Sequence, residues 1–317
     1  MDRRSMDRRE FLKAGLAGGG YLAAHSLIAS EAAPVDLKRM SVNYIPLPIG
    51  AERPFTVFHI SDTHLKALAP SDSESLRKFL ASRFVGHANE SALATSLEWA
   101  RIHKIDFVVH TGDLIDCATD GNVARLRSVL ADNANLLYAP GNHEFATTYA
   151  APVPPQTEAE FRAVNTAKVQ SAAPFDLSFH SRVVRGVNMV MMDDVYGTVP
   201  RSSIERFHAE AKKGLPIVLC MHVPFFTPGI GLACSRRNPG NLSFDEQPVP
   251  VANRDFRRQA EDHDTADFIR YLKSEPLLKA ILAGHYHCSM CDRFSPTAME
   301  YVVGANFRFC GQEIMIY

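Results

Sequence analysis

The sequence predicts a layered α/β fold in which helices cover a sheet core, and two observations carry that expectation. Short apolar runs rich in Val, Ile, Leu and Met alternate with longer stretches of helical periodicity. Small polar blocks of Gly, Asp, Asn and His stand just after those runs, at the sheet edge where α/β proteins build their active sites. With 317 residues, 46% hydrophobic and 22% charged, the chain is long enough to bury a sizeable core.

Residues 1–32 read as an address rather than as part of the fold. A basic start is followed by an apolar run from about Ala14 to Ala29 and by a cleavage-like Ser30-Glu31-Ala32. Arg8-Arg9-Glu10-Phe11-Leu12-Lys13 resembles the twin-arginine export motif, although Asp7 departs from the Ser or Thr common before the arginines. The run is short for a membrane span and is broken by Gly18, Gly19, Gly20 and His25, so no transmembrane span is expected in the mature form. An uncleaved N-terminal anchor is the alternative. Met6 repeats the Met-Asp-Arg-Arg start, which leaves the initiator open. The expected location is periplasmic or secreted, with the twin-arginine machinery as a targeting partner. That route carries folded proteins, so a metal site can be loaded before export.

From residue 33 to 317 a single domain is expected. Strand-like runs are Phe55 to Ile60, Ile105 to His110, Leu136 to Ala139, Met189 to Met192, Ile217 to Met221 and Ala280 to Ala283. Helical stretches between them are Ser91 to His103, Val123 to Asp132, Glu158 to Gln170, Ser203 to Lys213 and Thr265 to Lys273. Two short β-like runs follow, around Gly304 and Gly311. Thr147 to Gln156 and Phe225 to Asp262 resist assignment. The second, at about 225–262, reads as an insert that caps the site and helps to choose substrate, or as a solvated surface loop. Its Arg236, Arg237, Arg254, Arg257 and Arg258 suit phosphate oxygens.

The formal net charge of -1 gives no global basic field, so nucleic acid is not an expected partner. The six cysteines are too scattered for a disulfide-framed scaffold. Cys288 and Cys291 form a CxxC, open to reading as a redox pair, half a zinc site or a disulfide. A local disulfide or a Cys291–Cys310 link is the expectation, with unpaired apolar thiols as the alternative.

Five polar blocks carry the chemistry: Asp62-Thr63-His64, Gly112-Asp113-Leu114-Ile115-Asp116, Gly141-Asn142-His143-Glu144, His222, and Gly284-His285-Tyr286-His287. Singly, each has a bland reading as a surface loop, a turn or a helix cap. Jointly they supply hard oxygens and imidazoles, a donor set that suits Mn, Fe or Zn better than Ca or a thiolate site.

In this order the blocks resemble the pattern of the calcineurin-like metallophosphoesterase superfamily: Asp-x-His, Gly-Asp-x-x-Asp, Gly-Asn-His-Asp/Glu, a lone His, and Gly-His-x-His. The resemblance spans Asp62 to His287. It implies a two-sheet β-sandwich flanked by helices, a four-layer α/β/β/α arrangement. It also implies two divalent or trivalent ions, one on Asp62, His64, Asp113 and His287, the other on Asp113, Asn142, His222 and His285, with Asp113 bridging. Asn142 and His143 would contact substrate, His143 as acid and Asp116 as its orienting partner. The implied reaction is hydrolysis of a phosphomonoester or phosphodiester, small-molecule or lipid, by hydroxide bridging the two ions. Purple acid phosphatases place a tyrosine ligand where Asp116 stands, so an iron–tyrosinate colour is not expected.

His59 and His110, inside strand runs, read as core residues or as supports of the ligands. Asp193-Asp194 reads as a solvated turn. The rival of another class is a non-catalytic metal-binding module that recognises a partner on the same fold. A redox protein built on Cys288 and Cys291 is a third possibility.

Overall fold

Successive side chains along each central strand face two different cores, and that alternation builds a sandwich. The computed structural model describes residues 33–148, 155–237 and 263–317, of which Pro34–Tyr317 form one unit. The predicted signal segment, residues 1–32, lies outside the described residues, as do Arg254, Arg257 and Arg258 of the predicted insert. No described helix is long and apolar enough to cross a membrane.

The first half of the chain runs β1 (Ser41–Leu47), β2 (Phe55–Ile60), α1 (Glu74–Ser82), α2 (Asn89–Ile102), β3 (Phe107–Thr111), α3 (Asp120–Asp132), β4 (Leu136–Ala139), α4 (Asn142–Phe145) and α5 (Pro155–Gln170). The second runs β5 (Phe179–Val184), β6 (Val187–Met192), α6 (Arg201–Ala211), β7 (Ile217–Cys220), α7 (Pro228–Arg237), α8 (His263–Ser274), β8 (Leu278–Ala283), β9 (Met290–Arg293), β10 (Met299–Val302) and β11 (Cys310–Ile316). One mixed sheet has the order β1-β11-β2-β3-β4 and the other β5-β6-β7-β8-β10-β9. The C-terminal strand thus returns to the N-terminal sheet, antiparallel to β2 and parallel to β1.

Between the sheets lie Val57, Val109, Leu137, Met189, Met191, Val218, Cys220, Ala280 and Leu282. Their neighbours in sequence point outward: Phe58, Val108 and Tyr138 pack under α2, α3 and α5, and Val190, Leu219 and Ile281 pack under α6 and α8. Both faces of each central strand are covered, which is why these strands read as continuous apolar runs. Two mixed sheets flanked by helices result, as the resemblance implied.

Three strands and three helices were not among the expected elements: β1, β5, β9, α1, the single turn α4, and α7. β1 is a mostly exposed edge strand containing Pro46, and it exists through its parallel ladder with β11. The α7 sequence Pro228-Gly229-Ile230-Gly231 reads as loop. Its first turn is held from outside, by Asp292 of β9 accepting from Gly229 N (2.7 Å) and by Thr227 Oγ1 accepting from Ile230 N (3.3 Å). Part of the expected irregular insert is therefore helical.

The expected disulfides are absent. Cys291 is an exposed free thiol on edge strand β9, opposite Tyr301, whereas Cys310 opens β11 in the other sheet. Cys117 and Cys220 are buried free thiols in the core.

Candidate metal centre

All five predicted blocks meet where strands of the two sheets end. The loops after β2 and β3 run side by side. Asp62 N donates to Gly112 O (3.0 Å), His64 N to Asp113 O (2.9 Å) and Leu65 N to Leu114 O (2.8 Å). The loop after β8 joins across the sandwich, with His285 N donating to Asp62 Oδ2 (2.9 Å). Gly284 N donates to His222 O (3.0 Å), which ties the loop after β7 to the same edge.

Backbone conformation gathers the ligands. Asp62 (φ 57), His64 (φ 51), Asp113 (φ 54), His285 (φ 71) and His287 (φ 56) all lie in the left-handed region. That conformation costs about 1–2 kcal/mol per non-glycine residue. It is sustained here because the turns aim both polar side chains of Asp62-Thr63-His64, and both of His285-Tyr286-His287, at one centre. Gly112, at φ 90, is required twice over, since a Cβ there would sit 2.6 Å from the Gly141 backbone.

Asp113 Oδ2 is central. It lies 3.2 Å from His222 Nε2 and 3.7 Å from His64 Nε2. On one side, His64 Nε2 faces His287 Nε2 at 3.2 Å and Asp62 Oδ1 at 3.9 Å, and His287 Nε2 is 3.2 Å from that oxygen. On the other, His222 Nε2 faces His285 Nδ1 at 3.2 Å. The donor atoms of Asp62, His64 and His287, and those of Asp113, His222 and His285, each fall within 4.8 Å of one another. Asn142 is buried as the first residue of α4, directly before His143, whose backbone N–H donates to Asp113 Oδ1 (2.9 Å).

The donor set fits metal ions, because each ring is held through its other nitrogen. His222 Nδ1 donates to Thr111 O (2.7 Å) and His64 Nδ1 to Asp116 Oδ1 (3.3 Å). Each therefore directs Nε2 toward carboxylate oxygens and toward a second imidazole nitrogen. Carboxylates and imidazole nitrogens gathered this closely call for positive charge, which protons on the rings or cations in their place can supply. Burial opposes ionisation of Asp62, but His287 and His222 hold its carboxyl far below the usual range. Burial likewise disfavours a charged His222, yet Asp113 and Asp62 draw its pKa up to about 10. The same field is available to bound cations.

Asp116 is fully buried and reaches outward from the centre. Its Oδ1 lies 2.8 Å from His143 Nδ1, and Arg83 clamps both oxygens at 2.9 Å. His143 Nε2 lies 3.9 Å from Asp113 Oδ2. Burial alone would lower the His143 pKa, but the Asp113 charge and the Asp116 hydrogen bond raise it above the ordinary histidine value.

Several supports escaped the sequence reading. Glu144 is buried and accepts backbone N–H groups from Asp113 (2.9 Å), Leu114 (2.7 Å), Ile115 (3.1 Å) and Gly141 (2.6 Å), which locks two motif loops together. Its adjacency to His143 was the available signal. Asn89 donates to Thr63 O and His64 O, both at 2.8 Å. Arg83 had no signal, since its partner is distant in sequence. Asp193-Asp194 is not a solvated turn. Asp194 is buried and accepts from His222 N (3.1 Å) and Val223 N (3.2 Å), and burial pushes its carboxyl up to about 7. Asp193 pairs with Arg162 at 2.7 Å. His59 and His110 are core residues. Arg236 and Arg237 end α7, and their side chains lie outside the described residues.

Comparison with known proteins bears on the family and the fold. A family model described as calcineurin-like phosphoesterase matches residues 55–289. A dimetal phosphatase from Danio rerio superposes with a TM-score of 0.50 at 16% identity, over 82% of this chain and 91% of that one. A purple acid phosphatase from yellow lupin gives a TM-score of 0.47 at 14% identity, over 83% of this chain and 46% of that one, so the chain spans less than half of the lupin protein. A calcineurin-like phosphoesterase from Bacillus subtilis gives 0.45 at 10% identity, over 80% and 82%. No curated protein matches the chain.

Proposed function

This chain belongs to the calcineurin-like phosphoesterase family, and from that premise we propose that it is a binuclear metal-dependent hydrolase of phosphomonoesters or phosphodiesters. One observation carries the reading: a single carboxylate oxygen, Asp113 Oδ2, stands between two Asp/His donor groups, within 3.2 Å of His222 and 3.7 Å of His64. Asp62, His64, Asp113 and His287 would hold one ion, and Asp113, Asn142, His222 and His285 the other. Bound there, Mn, Fe or Zn ions would supply Lewis acidity, lowering the pKa of water and neutralising phosphate oxygens.

The chain's own residues do the rest. Thr111 and Asp116 fix the tautomers of His222 and His64, so each presents Nε2 to the centre. Glu144 holds the Asp113 loop against α4 through four backbone hydrogen bonds. His143 is fixed at both ends, its backbone N–H on Asp113 and its Nδ1 on Asp116. With Nδ1 committed to Asp116, its Nε2 is the nitrogen left to pass a proton to the leaving oxygen, and Asp113 and Asp116 both raise its pKa.

The test is metal analysis together with turnover of 4-nitrophenyl phosphate and bis(4-nitrophenyl) phosphate. Metal-loaded protein should hydrolyse at least one. Asp113→Asn should lose bound metal and at least about 100-fold in kcat/KM, as disrupted ligand sets do. Stoichiometric metal without turnover of either ester would instead identify a non-catalytic module. The twin-arginine-like start supports export to the periplasm or medium as part of this reading, and cell fractionation checks it.

A further inference from the structure

Positive charge gathers on one lip of the centre. The Phe307 ring packs against His287 and His64, with centroids 5.1 and 5.8 Å away. Against Phe307 lie His87, at 4.7 Å, and the Arg308 guanidinium, 5.2 Å from the ring centroid. Lys66, just beyond His64, donates from Nζ to the carbonyl of Arg83 (2.8 Å), in the loop that carries His87. Arg39 lies 3.9 Å from the ring centroid of Phe309, the residue that follows Arg308. Among the described residues, none of Arg39, Lys66 and Arg308 forms an ion pair. Their field converges on His87: burial first, then Arg308, Lys66 and Arg39, lowers its pKa below the ordinary value.

Held by aromatic rings and a backbone carbonyl rather than by carboxylates, these cations keep their charge available to an anion beside the proposed phosphate site. The scissile phosphate is already accounted for by the donor cluster. Arg308, on the ring that packs against His287 and His64, and Lys66, two residues past His64, are placed to meet a second anion. We propose that the lip formed by Lys66, Arg308 and Arg39 is a subsite for a second phosphate, so that the substrate class is a phosphoester carrying another phosphate group a few bonds from the one cleaved. The proposal rests on the hydrolase reading above and narrows it.

Metal-loaded protein is titrated by calorimetry with propylphosphonate and with propane-1,3-bisphosphonate. Turnover is compared for propyl phosphate and propane-1,3-diyl bisphosphate. The second anion should raise affinity and kcat/KM on the order of tenfold, as charge-assisted contacts to phosphate do. Lys66→Gln/Arg308→Gln should abolish that gain, and Arg308→Lys should keep most of it. Metal stoichiometry and the circular dichroism melt of each variant confirm the fold. Equal affinity for the two phosphonates, or a preference unmoved by the double substitution, would overturn the subsite. Bisphosphonate preference without hydrolysis of either ester would defeat the hydrolase reading and leave the subsite standing.

Discussion

At His222, one hydrogen bond decides which nitrogen does chemistry. Nδ1–H is committed to Thr111 O, so Nε2 is aimed at Asp113. Arg83 works one step further out, since its fork holds the Asp116 carboxylate that both His64 and His143 use. Arg83→Leu leaves Asp116 buried with two imidazoles and no permanent cation. It should cost about 1–3 kcal/mol in urea unfolding, the penalty for a buried group losing its partner. Arg83→Lys should recover only part, because an ammonium cannot match both oxygens. His59 supports a pH prediction. Burial, opposed by its hydrogen bond to Gln312, lowers its pKa from 6.5 to about 4. The unfolded chain therefore takes up a proton that the folded one resists. The stability due to neutral His59 is complete above pH 6.5 and is lost as pH falls toward about 4. Denaturation measured across that window should show wild type losing stability faster than His59→Asn; parallel curves would refute the assignment.

At the scale of elements, the motif loops were legible and their supports were not. Asp62-Thr63-His64 and Gly284-His285-Tyr286-His287 declare themselves because the side chains needed are adjacent in sequence. The helix starts that hold neighbouring loops depend on residues from elsewhere. The N-terminus of α3 is capped locally, by Thr119 Oγ1 accepting from Asn122 N (3.0 Å). It is also capped from the loop before α1, by Asp72 accepting from Asp120 N (2.8 Å) and Gly121 N (3.2 Å). The same Asp72 carboxylate accepts from Ala69 N (2.6 Å), joining the segment after β2 to the segment after β3. Asp72→Ala should cost about 1–2 kcal/mol, the range for a lost cap, measured as a fall in the urea midpoint. An unchanged midpoint would mean that Thr119 alone suffices. α7 teaches the same lesson: its Pro-Gly start is helical because Asp292 of β9 reaches it.

In the whole molecule, the candidate metal centre and the sandwich are coupled, because its Asp and His residues come from both sheets. Asp62 and Asp113 follow strands of one sheet, and His222, His285 and His287 follow strands of the other. A cation held between them would join the two layers. Saturation with Mn or Zn at a hundredfold excess over Kd should therefore stabilise the fold by about 2.7 kcal/mol. The melting temperature should rise on loading and fall again with chelator; a melt indifferent to metal would argue against ligands drawn from both sheets. What the sequence determined by itself was local: the strands with two buried faces, the helices between them and the ligand blocks at strand ends, each written in contiguous residues by hydrophobic period or motif. Tertiary structure alone decided the edge strand β1, the start of α7, the Arg83 and Asp194 anchors, the free thiol of Cys291 and the cationic lip. Each depends on which distant segments become neighbours, and long-range pairing leaves no periodic trace in the chain.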